Sequence, residues 1–581
     1  MAQNPTKTPS FLQPRPKAPP TSNTSSLAAT GTASNAPQLS RASSQHRAAA
    51  QQDPAKRPVD STSDKATEAF IRRTLCAHQL QSNDRDRTTV KPLEELLPPL
   101  TSSNDVDLQL YAFIAIIIKE FIYSWYAKIT PDHVFVDEVI QVFAHSTRAL
   151  EQRLRKVDLE TLLFDEIPEL FEAHIVAYRM SHYPLHPPPL SSDPDRIYHS
   201  LHPHPALSPV PIASEPSTVL DQQQNETRYR QLLVQGALAV LLPTEDLENG
   251  CLRALVGEIC GEMIIGNGLS GKVCEGWLLW EGITNIAKSL RTRMSKDMIA
   301  QGDMEDSKKK SQLERFGLLS SKEDADRPPS KPSTISVWFW TVLQYAFVAL
   351  TTLRFMIVAL ATSSSLPSRT PVVGAQRYAP AGGERGQSPV TVASLPPPFL
   401  RMRIWSCITH LLELDWRMPW LSGILSLLQW GALAGPGRVG DTNGPLDRLF
   451  AHHVRTTILQ PSLLPPLLLT LRSALFPSNT LAPARRVPSA AEQDAIKRAC
   501  ADALLDLVPA PLVATYLRPT TATARDEMVA DVGRVLDLLG DSYANKHLVY
   551  AVLELVCVRL MPELAERGSE ALLSARLGEG V

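Results

Sequence analysis

From Asp107 to about Tyr183 the apolar residues recur at helical spacing, beginning with Leu108, Tyr111, Ile114, Ala115, Ile118, Phe121, Ile122 and Trp125. Leu110, Phe113, Ile116 and Ile117 fill the opposite side, so this first helix is apolar nearly all round and must be buried on most faces. It does not read as a membrane span, because Asp107 and Lys119 leave too few uncharged residues between them. Thr130 and Pro131 predict an N-cap with proline in the first turn. The helix after them is expected to turn Val134, Phe135, Val139, Ile140, Val142 and Phe143 inward, with Asp132, Asp137 and Glu138 outward. Arg148, Glu151, Arg153, Arg155 and Lys156 make the next face wet. Asp165 is predicted to cap a further helix, with Pro168 in its first turn. The pattern predicts an all-α bundle with a thick core.

The rest of the chain alternates between such runs and breaks. Residues 1–66 are rich in Ser, Thr, Ala, Pro and Gln and carry too little apolar surface to offset ordering, so a disordered tail is expected. Residues 184–220 hold so many prolines that helix is not expected there. Helical runs return over 221–293, and 294–333 reads as a charged, flexible linker. Residues 332–353 contain no charge, and Arg354 then sits near the centre of the longer apolar run to 362. The length suits a span, but Thr341, Gln344, Thr351, Thr352 and Arg354 suit a buried or interfacial helix better. Residues 363–397 read as a Pro/Gly/Ser linker, 398–565 as a second helical region and 566–581 as a tail.

Charge and cysteine change little in this picture. The formal net charge is −2, which gives no global pull toward nucleic acid. Seven scattered cysteines with no CxxC pair point to free thiols in a reducing compartment. The first residues show no apolar signal-peptide core.

Candidate chemistry is thin. Gly266, Gly271 and Lys272 fit G-x4-G-K, but Val273 stands where magnesium needs Ser or Thr, and helix precedes it where a strand is required. A loop between helices is expected there, and no nucleotide. His182, His186, His199, His202 and His204 sit among prolines and are expected on a surface loop rather than around zinc. Cys407 and His410 lie in an apolar run and read as core. Asp165 and Glu166 are adjacent, so they do not face each other for acid–base work. No nucleophile elbow occurs, and no catalytic, metal or cofactor constellation is expected.

The string WYAKIT, the run HSTRALEQRLRKVDL and the following LLFDEIPEL with H-I-x2-Y-R resemble the PXA domain, the PX-associated domain of the sorting-nexin family. The resemblance continues through LLVQGALAVLLPTEDL, EICGEMII and WLLWEGI and covers residues 67–293. Its motif positions here are Trp125, Tyr126, His145, Arg148, Asp158, Asp165, Glu166, Pro168, His174, Tyr178 and Arg179, with His145 and His174 read as core histidines. The end of 398–565, NKHLVYAVLELV followed by MPEL, is similar to the sorting-nexin C-terminal domain. No PX or RGS-like module is recognised between the two regions, as in a fungal-type form. The resemblance implies that the two helical regions pack together around an apolar, lipid-holding groove. The expected function is then non-catalytic lipid binding, transfer or tethering in endosomal or vacuolar traffic. The expected place is peripheral, on the cytoplasmic face of endosomal, vacuolar or endoplasmic-reticulum membranes. Membrane lipids and trafficking proteins are the expected partners. The helix over 334–362 would line the groove or touch the bilayer through Trp338, Trp340, Tyr345, Phe347 and Phe355. A helical interaction scaffold without lipid is the alternative.

Overall fold

The computed structural model describes residues 63–76, 91–130, 134–182, 193–212, 214–315, 334–369, 396–476, 479–480, 486–518 and 524–578. Among them the fold is all-α, with no strand and one isolated bridge between Ile212 and Glu215. The first region holds α1 (Asp64–Leu75), α2 (Asn104–Ile117), α3 (Tyr123–Ile129), α4 (Val134–Leu154), α5 (Ile167–His182), α6 (Pro194–Leu201), α7 (Pro216–Leu241), α8 (Gly250–Glu258) and α9 (Gly276–Arg315). Then comes α10 (Thr334–Thr362). The second region holds α11 (Ile404–Leu411), α12 (Pro419–Ala434), α13 (Pro445–Thr457), α14 (Leu464–Leu475), α15 (Ala490–Leu505), α16 (Ala510–Leu517), α17 (Ala524–Leu536), α18 (Ser542–Leu560) and α19 (Ser569–Leu577).

The predicted first helix is present as α2, a π-helical turn (Ile118–Ile122) and α3. Its apolar circumference is explained by its surroundings. Tyr111, Ile114, Ile116, Ile118 and Ile122 are buried against Phe70 and Ile71 of α1 and Val136, Val139 and Ile140 of α4. Val134 is exposed rather than inward, because it stands at the start of α4, beyond that core. Pro131, like 132 and 133, lies outside the described residues, and Thr130 closes α3.

Beyond that core the apolar clusters draw on both regions. Trp277 and Trp280 of α9 bury against Cys500 and Ala501 of α15 and Leu536 of α17. Ile175 of α5 meets Cys407 of α11 and Leu538. Val234 and Leu238 of α7 meet Leu573 and Leu577 of α19. Leu207 meets Tyr543 and Tyr550 of α18. Gly276 marks how close the approach is, since a Cβ there would lie 2.7 Å from the Leu539 carbonyl oxygen.

Several expected breaks are ordered by these contacts. Asp193 caps α6 with Pro194 in the first turn, and α7 starts at Pro216, so proline enters helices where its missing N–H costs nothing. Helix α9 runs to Arg315, through the first half of the expected linker. Residues 363–369 are held in the body, and the expected tail contains α19. Residues 1–62, 316–333 and 370–395 lie outside the described residues.

Ile118→Asp is expected to cost more than about 4 kcal/mol, because it leaves an unpaired charge in a fully buried position. Thermal melting followed by circular dichroism measures it, and a wild-type midpoint would contradict the burial.

Candidate functional site

Five of the motif residues of the first region, Asp165, Glu166, His174, Tyr178 and Arg179, grip the second. The π-helical turn Leu162–Glu166 widens the backbone ahead of α5 and presents two carboxylates. Asp165 accepts from the Arg403 N–H at 2.9 Å, and Glu166 pairs with Arg559, whose Nε lies 2.8 Å away. Asp165 is therefore not a helix cap. That role falls to Asp158, which accepts from the Glu160 and Thr161 N–H groups. Arg179 donates to the His410 carbonyl at 2.6 Å and pairs with Glu413. Pro168 is buried, and Tyr178 packs beside Ile175 and Cys407. Trp125 and Tyr126 stack edge-on near Phe135, with Trp125 partly exposed. Arg148 ties to the Pro99 carbonyl. His145 is exposed on α4 rather than in the core. Cys407 is buried, whereas His410 is partly exposed beside Glu172.

His174 is buried in the seam between the regions. Its Nε2 is 3.0 Å from the Leu538 carbonyl, which can only accept, so Nε2 carries the proton and Nδ1 accepts from the Tyr198 hydroxyl at 2.8 Å. The ring is neutral, and burial pushes its pKa down to about 4. His199, His202 and His204 do not form a surface loop. His199 and His204 stand against His547 of α18, with the His199 and His547 ring nitrogens 3.5 Å apart, and His202 stacks on Tyr198. Tyr543 donates to the Leu207 carbonyl at 2.7 Å, which leaves its oxygen to accept from His199 Nδ1. Burial, followed by the neighbouring histidines, pushes His547 down to about 3. His199 and His202 are also lowered, both mainly by burial. Among the described residues no group of three or more His, Cys, Asp and Glu could hold a metal ion. His186 lies outside the described residues.

Next to the histidines lies a buried ionic knot. Glu226 of α7 accepts from the Tyr550 hydroxyl at 2.7 Å, from Lys546 at 3.2 Å and from the Ser270 hydroxyl, and it pairs with Arg230 at 3.2 Å. Burial alone would raise its pKa, but the Lys546 charge and these donors hold it below the usual value. Arg230 also reaches Glu262 at 2.8 Å. This arrangement accounts for the G-x4-G-K run. It is a π-helix (Ile259–Val273) rather than a loop, and a Cβ on Gly266 would lie 3.1 Å from Arg230 Nε. Lys272 is exposed.

A second knot holds the foot of α10. Arg369 is 2% exposed, lies 3.0 Å from Glu160 and 3.2 Å from Asp447, and donates to the Pro397 carbonyl. Arg455 joins Glu160 from α13. Above this foot every described side chain of α10 from Val342 to Thr362 is exposed, including Phe347, Leu350, Phe355, Ile357 and Arg354. It is therefore not a buried helix. Trp338, Trp340 and Tyr345 lie on its helical backbone, with side chains outside those described. Among the described residues no helix is long and apolar enough to cross a membrane. Helices α12 and α14 also show large apolar side chains to the outside, among them Trp420, Leu427, Trp430, Leu467 and Leu471. Sequence reading placed them in the second helical region without fixing what covers their apolar faces. The lack of charge in α12 was the signal available there.

Residues 103–286 match the PXA domain family. The chain carries a PXA domain. Over 136 residues it is 36% identical to PXA domain protein 1 of Schizosaccharomyces pombe, an alignment covering 23% of this chain and 25% of that protein. The match thus spans about a quarter of the length of that curated relative. No solved structure matches the chain. The matched residues include α5 and α7 and therefore the whole first-region side of the histidine seam and of the Glu226 knot.

The seam makes stability depend on pH. His174 and His547 stay neutral when folded but bind protons near pH 6.5 when unfolded, so acid favours the unfolded chain. Asp195 acts oppositely. Burial beside Asp541 and Asp193 raises it to about 7, so its penalty is relieved as pH falls. The two histidines outweigh this half-exposed carboxyl, each costing about 2 kcal/mol at about pH 5. The melting temperature is expected to fall between about pH 6.5 and about pH 4, and His547→Gln to flatten that limb. A midpoint that stays constant over this range would contradict the neutral seam.

Lys272→Ala is expected to change stability by less than about 0.5 kcal/mol, and added ATP to leave the melting of either form unchanged. Nucleotide-dependent stabilisation lost in the variant would contradict the structural role of the glycine run.

Proposed function

We propose that this PXA-domain protein is a non-catalytic lipid-binding, lipid-transfer or tethering protein of membrane traffic. It works peripherally on the cytoplasmic face of endosomal, vacuolar or endoplasmic-reticulum membranes. The observation that carries the reading is α10, an apolar helix exposed on all its described faces yet fixed at its foot by a buried ionic knot. Water is a poor surrounding for such a helix, since each exposed Leu, Ile or Phe forgoes about 1.5–3 kcal/mol of burial. Large contiguous apolar surface marks a site for a membrane, a lipid or a partner. The anchored foot argues that α10 is displayed rather than frayed. Arg354, in its C-terminal half, can keep its head hydrated while its stem lies along apolar surface. The PXA domain supports a trafficking-related role, and membrane lipids are the partner that the apolar surface favours.

Organic extraction of the purified full-length protein, followed by mass spectrometry, tests this. Glycerophospholipid is expected above the level of a matched control protein, and Phe347→Glu with Phe355→Glu is expected to reduce it. A folded protein that carries no lipid and gains none from vesicles would leave the interaction scaffold as the better reading.

A further inference from the structure

Resting on the lipid reading above, we infer that α12 is a second membrane element, which beds into the surface of a bilayer bearing anionic headgroups. Helix α12 has the sequence PWLSGILSLLQWGALA, with no charged residue and no buried one. At about 100° per residue, the exposed positions Trp420, Gly423, Ile424, Ser426, Leu427, Leu428, Trp430, Gly431 and Ala434 cover a continuous sector of about 200°, and Leu425, also exposed, lies outside it. The contacts to the protein lie in the remaining sector, where Leu425 is the exposed position. There Gln429 donates to the Leu400 carbonyl at 2.5 Å, and Ala432 accepts from the Gly440 N–H at 2.8 Å. The helix is therefore held along one side and apolar over the rest.

The width of that sector selects the occupant. A groove on another protein, or a second copy of this helix, covers a stripe, whereas a bilayer surface covers everything that projects. At about 24 Å, α12 is too short to cross a hydrocarbon core of about 30 Å, so it lies in the surface instead. Its aromatic residues fit that depth. Trp420 and Trp430 stand toward opposite ends and Trp416, just before the helix, is 90% exposed, and indole rings favour the headgroup level. Charge fits as well. Arg401, next to the Leu400 carbonyl that anchors Gln429, and Arg438, just beyond the helix, are both exposed. Asp415, at the other end, accepts from Ser422, and Asp441 lies beside Arg438. The exposed basic groups thus gather at one end of an apolar face, which suits acidic headgroups.

Flotation of the full-length protein with vesicles of phosphatidylcholine, alone or mixed with phosphatidylserine, tests this. Wild type is expected to float, more strongly with phosphatidylserine. Leu427→Glu with Leu428→Glu is expected to weaken flotation by about tenfold or more while leaving melting and co-purified lipid unchanged. Arg401→Glu with Arg438→Glu, which leaves the apolar face intact, is expected to remove only the preference for phosphatidylserine. Flotation of the leucine variant equal to wild type overturns the assignment and leaves the lipid reading standing. So does a wild type that carries lipid but does not float. Loss of co-purified lipid with undiminished flotation also overturns it, by placing α12 on an internal lipid site. A wild type that neither floats nor carries lipid defeats the lipid reading itself.

Discussion

The structure depends on the burial of Glu226 among Arg230, Lys546, Tyr550 and Ser270. A carboxylate 4% exposed is tolerable only when the donors around it replace the water it has lost. Two of those donors, Lys546 and Tyr550, come from α18, more than three hundred residues further along the chain. The PXA domain therefore does not close its polar interior by itself. The second region supplies the missing partners, and the histidine seam beside the knot extends the same dependence.

The apolar clusters follow the same logic. Trp280 buries its ring against Cys500 and Leu536 and donates its indole N–H to the Leu536 carbonyl. Arg472 of α14, 1% exposed, reaches Thr67 of α1. Apolar burial supplies the bulk of such an association and the polar contacts fix its register. A body joined in this way can hold helices on its surface at fixed positions. Arg369 does so for α10, and the Gln429 contact with Leu400 does so for α12. Fixed apolar helices on a rigid body are what a protein needs if it is to present one face to a membrane.

Sequence alone determined the helical class, because period and apolar content in α2–α5 admit no other element. It also determined the thick core around Ile118. Tertiary structure alone decided where the second region sits. The pairing of Glu166 with Arg559, or of His174 with Leu538, joins residues hundreds apart, and no local periodicity encodes that distance. For the same reason the histidines among prolines read as loop, although His199 and His204 pack against His547 of α18, and Asp165 read as a cap, although it binds the Arg403 N–H. The apolar runs of α10, α12 and α14 posed the hardest ambiguity. Hydropathy reports that a helix avoids water, but only the packing of its neighbours reports whether protein or something else provides the shelter.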